Sequence, residues 1–308
     1  DYQRFQRTMF NLKCPLVKKY MKTMITTLAL MLLAAACSND NGVDEPIELD
    51  DNINESKEYE LVWSDEFDKD GMVNEYYWGY DEGYCRNNEL QDYKKADPKY
   101  ARVENGKLII EAHKDPHEGV NQWTGEPYQF EYSSAELRSL KTIPIKYGRL
   151  DVSAKIPVGR GIWPAIWMMP LDNKYGGWPR SGEIDIMEYV WGDNVHNQIF
   201  ATVHTTDTDV NNNRITSGTI ISETLNTEFH LYSLIWNEES LEVLFDNKVI
   251  FTYNRGKNSS FVKWPFDQPF YLILNIAVGG GWGGMWGIDE TIFPARMEID
   301  YVRYYQEK

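Results

Sequence analysis

The sequence predicts an all-β fold, an antiparallel sandwich of about 250 residues that begins near residue 58. Short runs of β-type residues alternate with turn signals along this whole stretch. Several runs, such as Arg149–Ile156 and Met297–Val302, alternate apolar and polar side chains with the period of a half-buried strand. No segment of 12 or more residues shows the 3.6-residue period of an amphipathic helix. Because single all-β domains of this length are common, one sandwich is the simplest organisation.

The first 36 residues have the pattern of an export signal rather than of a fold. A positively charged stretch that ends at Lys22 precedes an apolar run over residues 24–36. The run has about 13 residues, too few to span a bilayer at about 1.5 Å per residue. We therefore assign residues 1–36 to an upstream piece and a secretory signal peptide, and we place the start of the signal peptide at Met21.

Cys37 follows the apolar run directly, after three alanines. This junction resembles a bacterial lipobox, in which the Cys after small residues is lipidated, although Ala34 stands where Leu is usual. Ordinary cleavage after Ala36 is the alternative. Residues 37–57, which are rich in Asn, Asp and Glu, are predicted to be a solvated tether behind the lipidated Cys37. We expect an exported outer-membrane lipoprotein that faces the cell surface, with a periplasmic or a secreted protein as the alternatives.

Composition narrows the class of partner. The formal net charge of −16 argues against binding to nucleic acid or to an anionic membrane surface through overall charge. The chain contains 11 Trp and 20 Tyr, whose faces can stack on the C–H faces of neutral sugars, so a polysaccharide is the expected partner. The three Cys and five His show no zinc-ligand spacing, and we predict no catalytic cofactor. We expect the protein to be a monomer.

Runs of β-type residues predict strands throughout the predicted domain, residues 58–308, and ten of these runs serve as examples. Their predicted bounds are Tyr59–Trp63, Leu108–Ala112, Tyr147–Lys155, Glu183–Val190, Ile199–His204, His230–Asn237, Leu241–Phe245, Lys248–Tyr253, Tyr271–Val278 and Ala295–Tyr305. Asn105-Gly106 is a hairpin turn signal, and Asp246-Asn247 links two strands in a similar way.

The segment Gly182–Val190 carries three acids on one predicted strand. Side chains alternate between the two faces of a strand, so Glu183 and Asp185 point the same way. Glu188 comes five positions after Glu183 and would point to the other face of a regular strand. One extra residue, absorbed by a β-bulge near Ile186-Met187, returns it to the face of the other two acids. The sequence thus predicts three carboxylates on one face of a sheet.

Three neighbouring carboxylates repel one another, so this spacing suits chemistry better than structure. Four strand steps of about 3.3 Å separate the outer Cα atoms by roughly 13 Å, and the two Glu side chains can lean inward to the separation of about 5–5.5 Å found in retaining glycosidases. There, one Glu attacks the anomeric carbon, while the other protonates the leaving oxygen and later activates water. Asp185 lies between them and can hydrogen-bond the nucleophile. A solvated acidic strand edge or a calcium site is the alternative.

These motifs resemble glycoside hydrolase family 16, in particular its laminarinase-like and lichenase-like bacterial β-glucanases. The likeness runs from Trp63–Phe67 to Ile299–Tyr305 and includes the bulged E-x-D-x-x-E signature at Glu183, Asp185 and Glu188. It implies a concanavalin-like β-jelly roll of two curved antiparallel sheets, with a cleft across the concave sheet. It also implies that Glu183 is the nucleophile, Asp185 the assisting acid and Glu188 the general acid/base. The implied activity is hydrolysis of β-1,3-glucan, mixed-linkage β-1,3-1,4-glucan or both.

The resemblance also marks three residues of the cleft near the acids. The segment Gly161–Pro170 looks like the family's G-x-W-P-A-x-W-M-x-P motif, which implies that Trp163 and Trp167 line the cleft. Without the resemblance, two core Trp would be the better interpretation. His204 matches a laminarinase His that lies near the acid/base.

Further substrate-binding residues are implied in three other segments. Ser134–Ser139 resembles the lichenase pattern whose Glu and Arg bind the sugar chain, here Glu136 and Arg138. Laminarinases often carry Arg where Glu136 stands, which favours a mixed-linkage substrate. Asn88 lies in a segment that resembles the family's N-N-E-x-Q loop, with a turn residue as the alternative. Trp282, in a Gly-rich loop, is expected to be a sugar platform.

One structural metal site is implied as well. Glu66, the carbonyl of Gly106 and Asp300 match the family's calcium site on the convex side, and hard oxygen ligands suit this ion. Its expected role is stability rather than catalysis.

Two other functions fit the same fold. The first is the same catalysis on a galactan such as agarose, porphyran or carrageenan, which are often sulfated and would call for basic residues near the cleft. Arg138, Arg160 and Arg180 keep this alternative open. The second is a non-catalytic surface glycan-binding protein, which we would expect to have lost one of the three acids.

Overall fold

The structure is a computed structural model, and it describes residues 58–308 except residues 123, 141 and 212–217. The predicted signal segment (1–36), the predicted tether (37–57) and the lipidation site at Cys37 lie outside the described residues. In the part of the chain that the structure describes, no helix has both the length and the apolar character needed to cross a bilayer.

The described residues form mostly β-structure. The strands are β1 (Tyr59–Asp65), β2 (Trp78–Asp81), β3 (Gln91–Tyr93), β4 (Ala101–Val103), β5 (Leu108–Val120), β6 (Pro127–Ser134), β7 (Glu136–Ser139), β8 (Gly148–Lys155), β9 (Ile162–Pro170), β10 (Glu183–Tyr189), β11 (Gln198–His204), β12 (Gly218–Ile221), β13 (His230–Trp236), β14 (Ser240–Phe245), β15 (Lys248–Asn254), β16 (Phe270–Val278) and β17 (Ala295–Glu307). Two short helical turns accompany them, a π-helical turn at Thr206–Val210 and a 3₁₀ turn at Glu290–Ile292.

The strands form two sheets, called sheet 1 and sheet 2 below. Sheet 1 has the order β15-β14-β13-β8-β17-β5-β6-β3, with β1 paired to β17 and β4 paired to β5. Sheet 2 has the order β12-β11-β10-β9-β16-β7-β2. Among the described strands, β3 and β6 are parallel and the other named pairs are antiparallel. The predicted antiparallel sandwich is confirmed, and β10 lies inside sheet 2 between β9 and β11.

All ten predicted strands are present, although β5 continues to Val120, well past its predicted end. Seven further strands of the described residues were not among these examples: β2, β3, β4, β6, β7, β9 and β12. Five of these seven have only three or four residues, too few to show a period of two. Strand β9 is largely buried on both faces and contains Pro164, so it shows neither alternation nor a typical strand composition.

Both predicted hairpin turns are present. Asn105 and Gly106, with φ of 54° and 70°, connect β4 to β5. Asp246 and Asn247, with φ of 48° and 63°, connect β14 to β15. Positive φ at both central residues is the type I′ conformation, which matches the twist of the flanking strands.

The main hydrophobic core contains side chains from both sheets. Leu108 and Ile110 of sheet 1 and Ile184 and Leu274 of sheet 2 belong to it and are fully buried. Burying one such side chain contributes about 1.5–3 kcal/mol relative to leaving it in water. Because alternate residues of a strand point to opposite faces, this core also fixes which residues of sheet 2 face away from it.

Candidate active site

The three acids lie on β10, which contains the predicted β-bulge. Asp185 pairs with Thr202 of β11 and Glu188 pairs with Phe200, so three steps along β10 oppose two steps along β11. Against β9, the extra residue falls between Asp185 and Met187. The additional residue returns Glu188 to the face that Asp185 occupies.

The bulge turns two consecutive apolar side chains into the core. Ile184, Ile186 and Met187 are at most 1% exposed and pack in the core cluster. The three acids therefore lie on the opposite face of sheet 2, and β10 is anchored from behind. Asp185 is only 1% exposed and Glu188 is also buried, so the acids occupy an environment that water reaches poorly.

Glu183 is half-buried at the start of β10. The Nε1 of Trp178 donates a hydrogen bond of 2.5 Å to its Oε2. Burial and the charge of Asp185 raise the pKa of Glu183, whereas the charge of His204 and the hydrogen bond from Trp178 act in the opposite direction. The last two groups favour the ionised carboxylate that a nucleophile requires.

His204 lies between two carboxylates. Its Nε2 is 3.3 Å from Oδ2 of Asp185, and its Nδ1 is 2.9 Å from Oδ1 of Asp209. The side-chain oxygen Oδ2 of Asp209 also accepts a hydrogen bond from the Thr208 hydroxyl. Burial alone would lower the pKa of His204, but Asp185 and Asp209 outweigh it and raise the pKa to about 12. The ring is therefore an imidazolium that offsets part of the negative charge of the acids.

The same cluster could also be considered as a metal site. Glu183, Asp185 and His204 each offer a ligand atom, and these atoms lie within 4.8 Å of one another. A His that binds a metal ion uses a neutral ring with an unprotonated nitrogen. Here both ring nitrogens face carboxylate oxygens, which favours the doubly protonated ring. The arrangement is that of an acid cluster with its own cation.

Glu188 lies past the bulge and faces the aromatic side of the site. The Nε1 of Trp163 donates to its Oε1 at 3.1 Å. Burial, with the charges of Asp185 and Glu183, raises the pKa of Glu188 well above its usual value, and the charge of His204 and the Trp163 hydrogen bond oppose this only in part. A carboxyl that keeps its proton near neutral pH is suited to act as a general acid.

Aromatic rings surround both ends of the row of acids. Beyond Glu188, the Trp282 ring packs edge-on against Trp163 with centroids 5.4 Å apart. The centroid of the Phe200 ring lies 5.1 Å from that of Trp282. At the other end, the exposed Trp178 ring lies 5.8 Å from His204. The structure thus brings Trp163, Trp282 and His204 together with the acids.

Trp167, another predicted binding residue, is the cross-strand neighbour of Asp185 on β9. It is largely buried, and its Nε1 donates to Oδ1 of Asn275 at 2.8 Å. Directly paired residues of neighbouring strands share a face. The ring therefore lies on the same face as the acids, where it forms part of the floor.

Glu136 was expected to bind the sugar chain directly. It is 0% exposed, and both its carboxylate oxygens accept hydrogen bonds from the guanidinium of Arg86. The burial of Glu136 gives no support to direct contact with a sugar, which stays a prediction. Its carboxylate holds Arg86, and the sequence analysis did not single out that arginine.

Arg138 and Asn88 lie further from the acids. The Nη1 of Arg138 is 3.0 Å from Oδ1 of Asp81, and its side chain is partly exposed. Asn88 is exposed in the loop before β3, and its backbone N–H donates to the Tyr84 hydroxyl. The neighbouring carbonyl of Asn87 accepts from the backbone of Gly281, which ties this loop to the one that carries Trp282.

The carboxylate of Glu66, one of the predicted calcium ligands, is held by an arginine in this structure. Both carboxylate oxygens of Glu66 accept from Arg303, at 2.9 and 2.8 Å. Gly106 lies in the β4–β5 turn, and Asp300 is half-buried on β17. Calcium needs six to eight oxygen ligands, and here a guanidinium already occupies the Glu66 carboxylate.

Sequence reasoning missed several residues of the site. Trp178, five positions before Glu183, was recognisable as one more aromatic next to the acids. Asp209, five positions after His204, was recognisable in the same way. Phe200 and Arg86 reach the site only through strand pairing or through contacts between distant segments, so no local pattern marks them.

Comparisons with known proteins agree with this geometry. The model of the family described as glycosyl hydrolases family 16 matches residues 90–303. The chain is 41% identical over 266 residues to a β-glucanase of Rhodothermus marinus, covering 83% of this chain and 88% of that protein. It is 37% identical over 252 residues to a keratan-sulfate endo-1,4-β-galactosidase of Sphingobacterium multivorum, covering 81% of this chain and 56% of that longer protein.

A solved structure of a similar protein has the same fold. The structure of the laminarinase from Rhodothermus marinus superposes with a TM-score of 0.74 at 40% identity, covering 82% of this chain and 99% of that one. This similarity confirms the predicted β-jelly-roll sandwich.

Proposed function

The chain belongs to glycoside hydrolase family 16, and from this premise we propose that it cleaves internal bonds of β-1,3- or mixed-linkage β-1,3-1,4-glucans with retention of configuration. It is a glycoside hydrolase that acts on a polysaccharide, and glycosidases of this family need no catalytic cofactor. One observation carries the proposal: the bulge of β10 puts Glu183, Asp185 and Glu188 on one face of sheet 2.

In the first step, Glu183 acts as the nucleophile. Its carboxylate attacks the anomeric carbon and forms a glycosyl–enzyme ester, while the bond from that carbon to the leaving oxygen breaks. Glu188 donates its proton to this oxygen, so the departing chain leaves as a neutral alcohol. The pKa of Glu188, raised by burial, keeps the proton available for this transfer.

In the second step, water resolves the ester. The Glu188 carboxylate takes a proton from a water molecule whose oxygen attacks the anomeric carbon, and the Glu183 carboxylate leaves. Two inversions give net retention. The ion pair of Asp185 with the His204 imidazolium supports both steps. It keeps the charges next to Glu183 constant while the Glu183 carboxylate is converted to the ester and then released again.

The charge of the cleft floor supports a neutral substrate. The guanidinium of Arg86 is bound by Glu136, and that of Arg138 is paired with Asp81. Neither arginine therefore adds net positive charge. The Trp163 and Trp282 rings near Glu188 supply apolar faces for sugar rings. This combination favours a glucan over a sulfated polysaccharide.

A galactan is the second candidate, because the Sphingobacterium relative is named for a β-galactosidase activity on keratan sulfate. Arg160 and Arg180 are exposed and keep an anionic substrate under consideration.

We also propose that the protein is exported and held at the outer membrane by a lipid on Cys37, and that it acts as a monomer. The small residues before Cys37 and the acidic stretch behind it support the anchor. Incorporation of labelled fatty acid into the protein, and its loss in Cys37→Ser, would test it; an unlabelled wild type would favour a secreted or periplasmic protein.

Parallel digestion of barley mixed-linkage glucan, laminarin, curdlan, agarose and keratan sulfate tests the proposed function. We expect short oligosaccharides from at least one of the three glucans, and NMR of the first products should show the β anomer. Products from agarose or keratan sulfate alone would replace the glucan by a galactan. An early α anomer would contradict the retaining mechanism, and no product from any polysaccharide would favour a binding protein.

A further inference from the structure

We propose that Arg86 is a substrate-binding residue of this cleft, one that donates hydrogen bonds to the hydroxyl oxygens of a neutral sugar unit next to the one being cleaved. The inference rests on the glycan-cleaving function proposed above and adds to it a residue that no sequence motif marked.

Arg86 lies beside the row of three acids. Its guanidinium carbon lies 4.9 Å from the centroid of the Trp167 ring. Trp167 is paired directly with Asp185, so the guanidinium covers the floor only one strand away from the acids. It lies on the side of β10 that leads through β9 and β16 to β7.

Two contacts fix the plane of the guanidinium. Nη1 donates to Oε2 of Glu136 at 2.7 Å, and Nη2 donates to Oε1 of the same carboxylate. Glu136 is itself fixed, because it is fully buried on β7 opposite Asn275 of β16. The stacking on Trp167 supplies the second constraint. A side chain held in this way loses little further entropy when it binds a ligand.

The guanidinium still has donors to offer. An arginine carries five N–H groups, and the two hydrogen bonds to Glu136 use two of them. The side chain remains 29% exposed, whereas the carboxylate beneath it is sealed. In the proposal, the three remaining donors lie on this exposed part of the side chain, toward the cleft.

The charge balance points to the class of ligand. Because Glu136 neutralises Arg86, the pair presents hydrogen-bond donors without a net cation. Hydroxyl oxygens of an uncharged pyranose suit such a group. A sulfate ester or a uronate would need an unpaired cation. The experiment must therefore distinguish these anionic ligands from the neutral sugar.

The structure contains a matched control for a merely structural arginine. Arg303 of sheet 1 also binds one carboxylate with two N–H groups, that of Glu66, and it also stacks on an aromatic ring, that of Tyr301. Its side chain is 35% exposed, close to the value for Arg86. The two pairs thus share chemistry and burial of the arginine, but only Arg86 lies beside the acids.

The test compares the paired variant Arg86→Met/Glu136→Gln with the control Arg303→Met/Glu66→Gln. Each removes one arginine without leaving an unpaired carboxylate. For glucan oligosaccharides of defined length, we expect KM to rise at least about tenfold for the first variant, with kcat changed by less than about threefold. The control should leave both constants unchanged. Equal effects of the two variants, or an unchanged KM in the first, would overturn the proposal.

Two further measurements separate a loss of substrate binding from a loss of folding, and a neutral ligand from an anionic one. Arg86→Lys retains a cation for Glu136, so it should keep the thermal midpoint of the wild type and still show the rise in KM. If that variant folds normally and binds like the wild type, the proposal fails. If the Arg86 variants lose binding only to keratan sulfate and bind glucan like the wild type, the assignment to a neutral sugar is overturned. A wild type inactive on every glucan would instead contradict the proposed function, and the variants would then be compared on whichever polysaccharide it does cleave.

Discussion

Single residues decide which carboxyl of this site holds a proton. Glu183 and Glu188 both have raised pKa values because they are buried near Asp185. Each carboxylate accepts a hydrogen bond from an indole N–H, that of the exposed Trp178 at Glu183 and that of Trp163 at Glu188, and the His204 imidazolium sits 3.3 Å from Asp185 between them. The charge of His204 lowers the pKa of both carboxyls, and Glu188, the more buried of the two, is the one better suited to keep its proton.

The assignment of Glu183 as the nucleophile gives the first prediction. Glu183→Ala removes the group that forms the ester, so we expect kcat to fall by about four orders of magnitude or more. The aromatic rings and Arg86 are untouched, and binding of oligosaccharide, measured by calorimetry, should persist. Substantial remaining turnover in a pure, folded sample would assign the nucleophile elsewhere.

The raised pKa of Glu188 gives a prediction about pH. The first step needs the protonated acid, so kcat/KM should decline as pH rises through the pKa of this residue. Trp163→Phe keeps most of the burial but removes the hydrogen bond that stabilises the carboxylate, so the pKa should move higher. We expect the alkaline limb to shift upward by up to about one pH unit.

Trp282→Phe is the control for this pH measurement. Trp282 packs on Trp163, but in the described hydrogen bonds it does not donate to Glu188. Its substitution should weaken binding and leave the alkaline limb in place. A downward shift in Trp163→Phe, or an equal shift in both variants, would show that the limb does not report Glu188.

At the scale of elements, β10 shows how far a local pattern reaches. Its alternation and its odd spacing between Glu183 and Glu188 predicted the strand and its bulge, because both properties are local. The pairing of Arg86 with Glu136 could not be predicted in this way. It joins a loop to the four-residue strand β7 across 50 positions, and neither segment has a period that reveals its partner.

The same element supports a prediction about the bulge. Deleting Ile186 leaves the order Glu183, Ile184, Asp185, Met187, Glu188, which alternates regularly. The acids then stay on one face and span the same four steps of β11 as before, from His204 to Phe200. We expect activity within about tenfold of the wild type. The core loses one buried side chain, so unfolding should cost about 2–5 kcal/mol less.

Deletion of Ile184 is the matched comparison for the bulge, because it removes one apolar residue from the regular part of β10 and moves Glu183 to the core face. That variant should be inactive or unfolded. If instead the Ile186 deletion folds but is as inactive as Glu188→Ala, the bulge itself would be needed for the geometry of the acids.

At the scale of the whole molecule, the sandwich joins the two ends of the described chain. Tyr59 of β1 pairs with Glu307 of β17, and this strand also borders β8 and β5. The overall architecture was predictable because the turn signals and strand periods are distributed along the entire domain. The order of strands within each sheet was not, since it depends on contacts between segments far apart in sequence.

The ion pair that crosses from the end of β1 to β17 leads to a prediction about metal removal. The guanidinium of Arg303 supplies the positive charge at Glu66, the position that the family resemblance assigned to calcium. We therefore expect the thermal midpoint to change by less than about 1 °C on addition of EDTA or of millimolar calcium, because the ion pair with Arg303 already satisfies the Glu66 carboxylate. Arg303→Met frees the Glu66 carboxylate, and only in this variant should added calcium raise the midpoint. If EDTA lowers the midpoint of the wild type by several degrees and calcium restores it, then Glu66, the Gly106 carbonyl and Asp300 do bind the ion in solution, and Arg303 gives way to it.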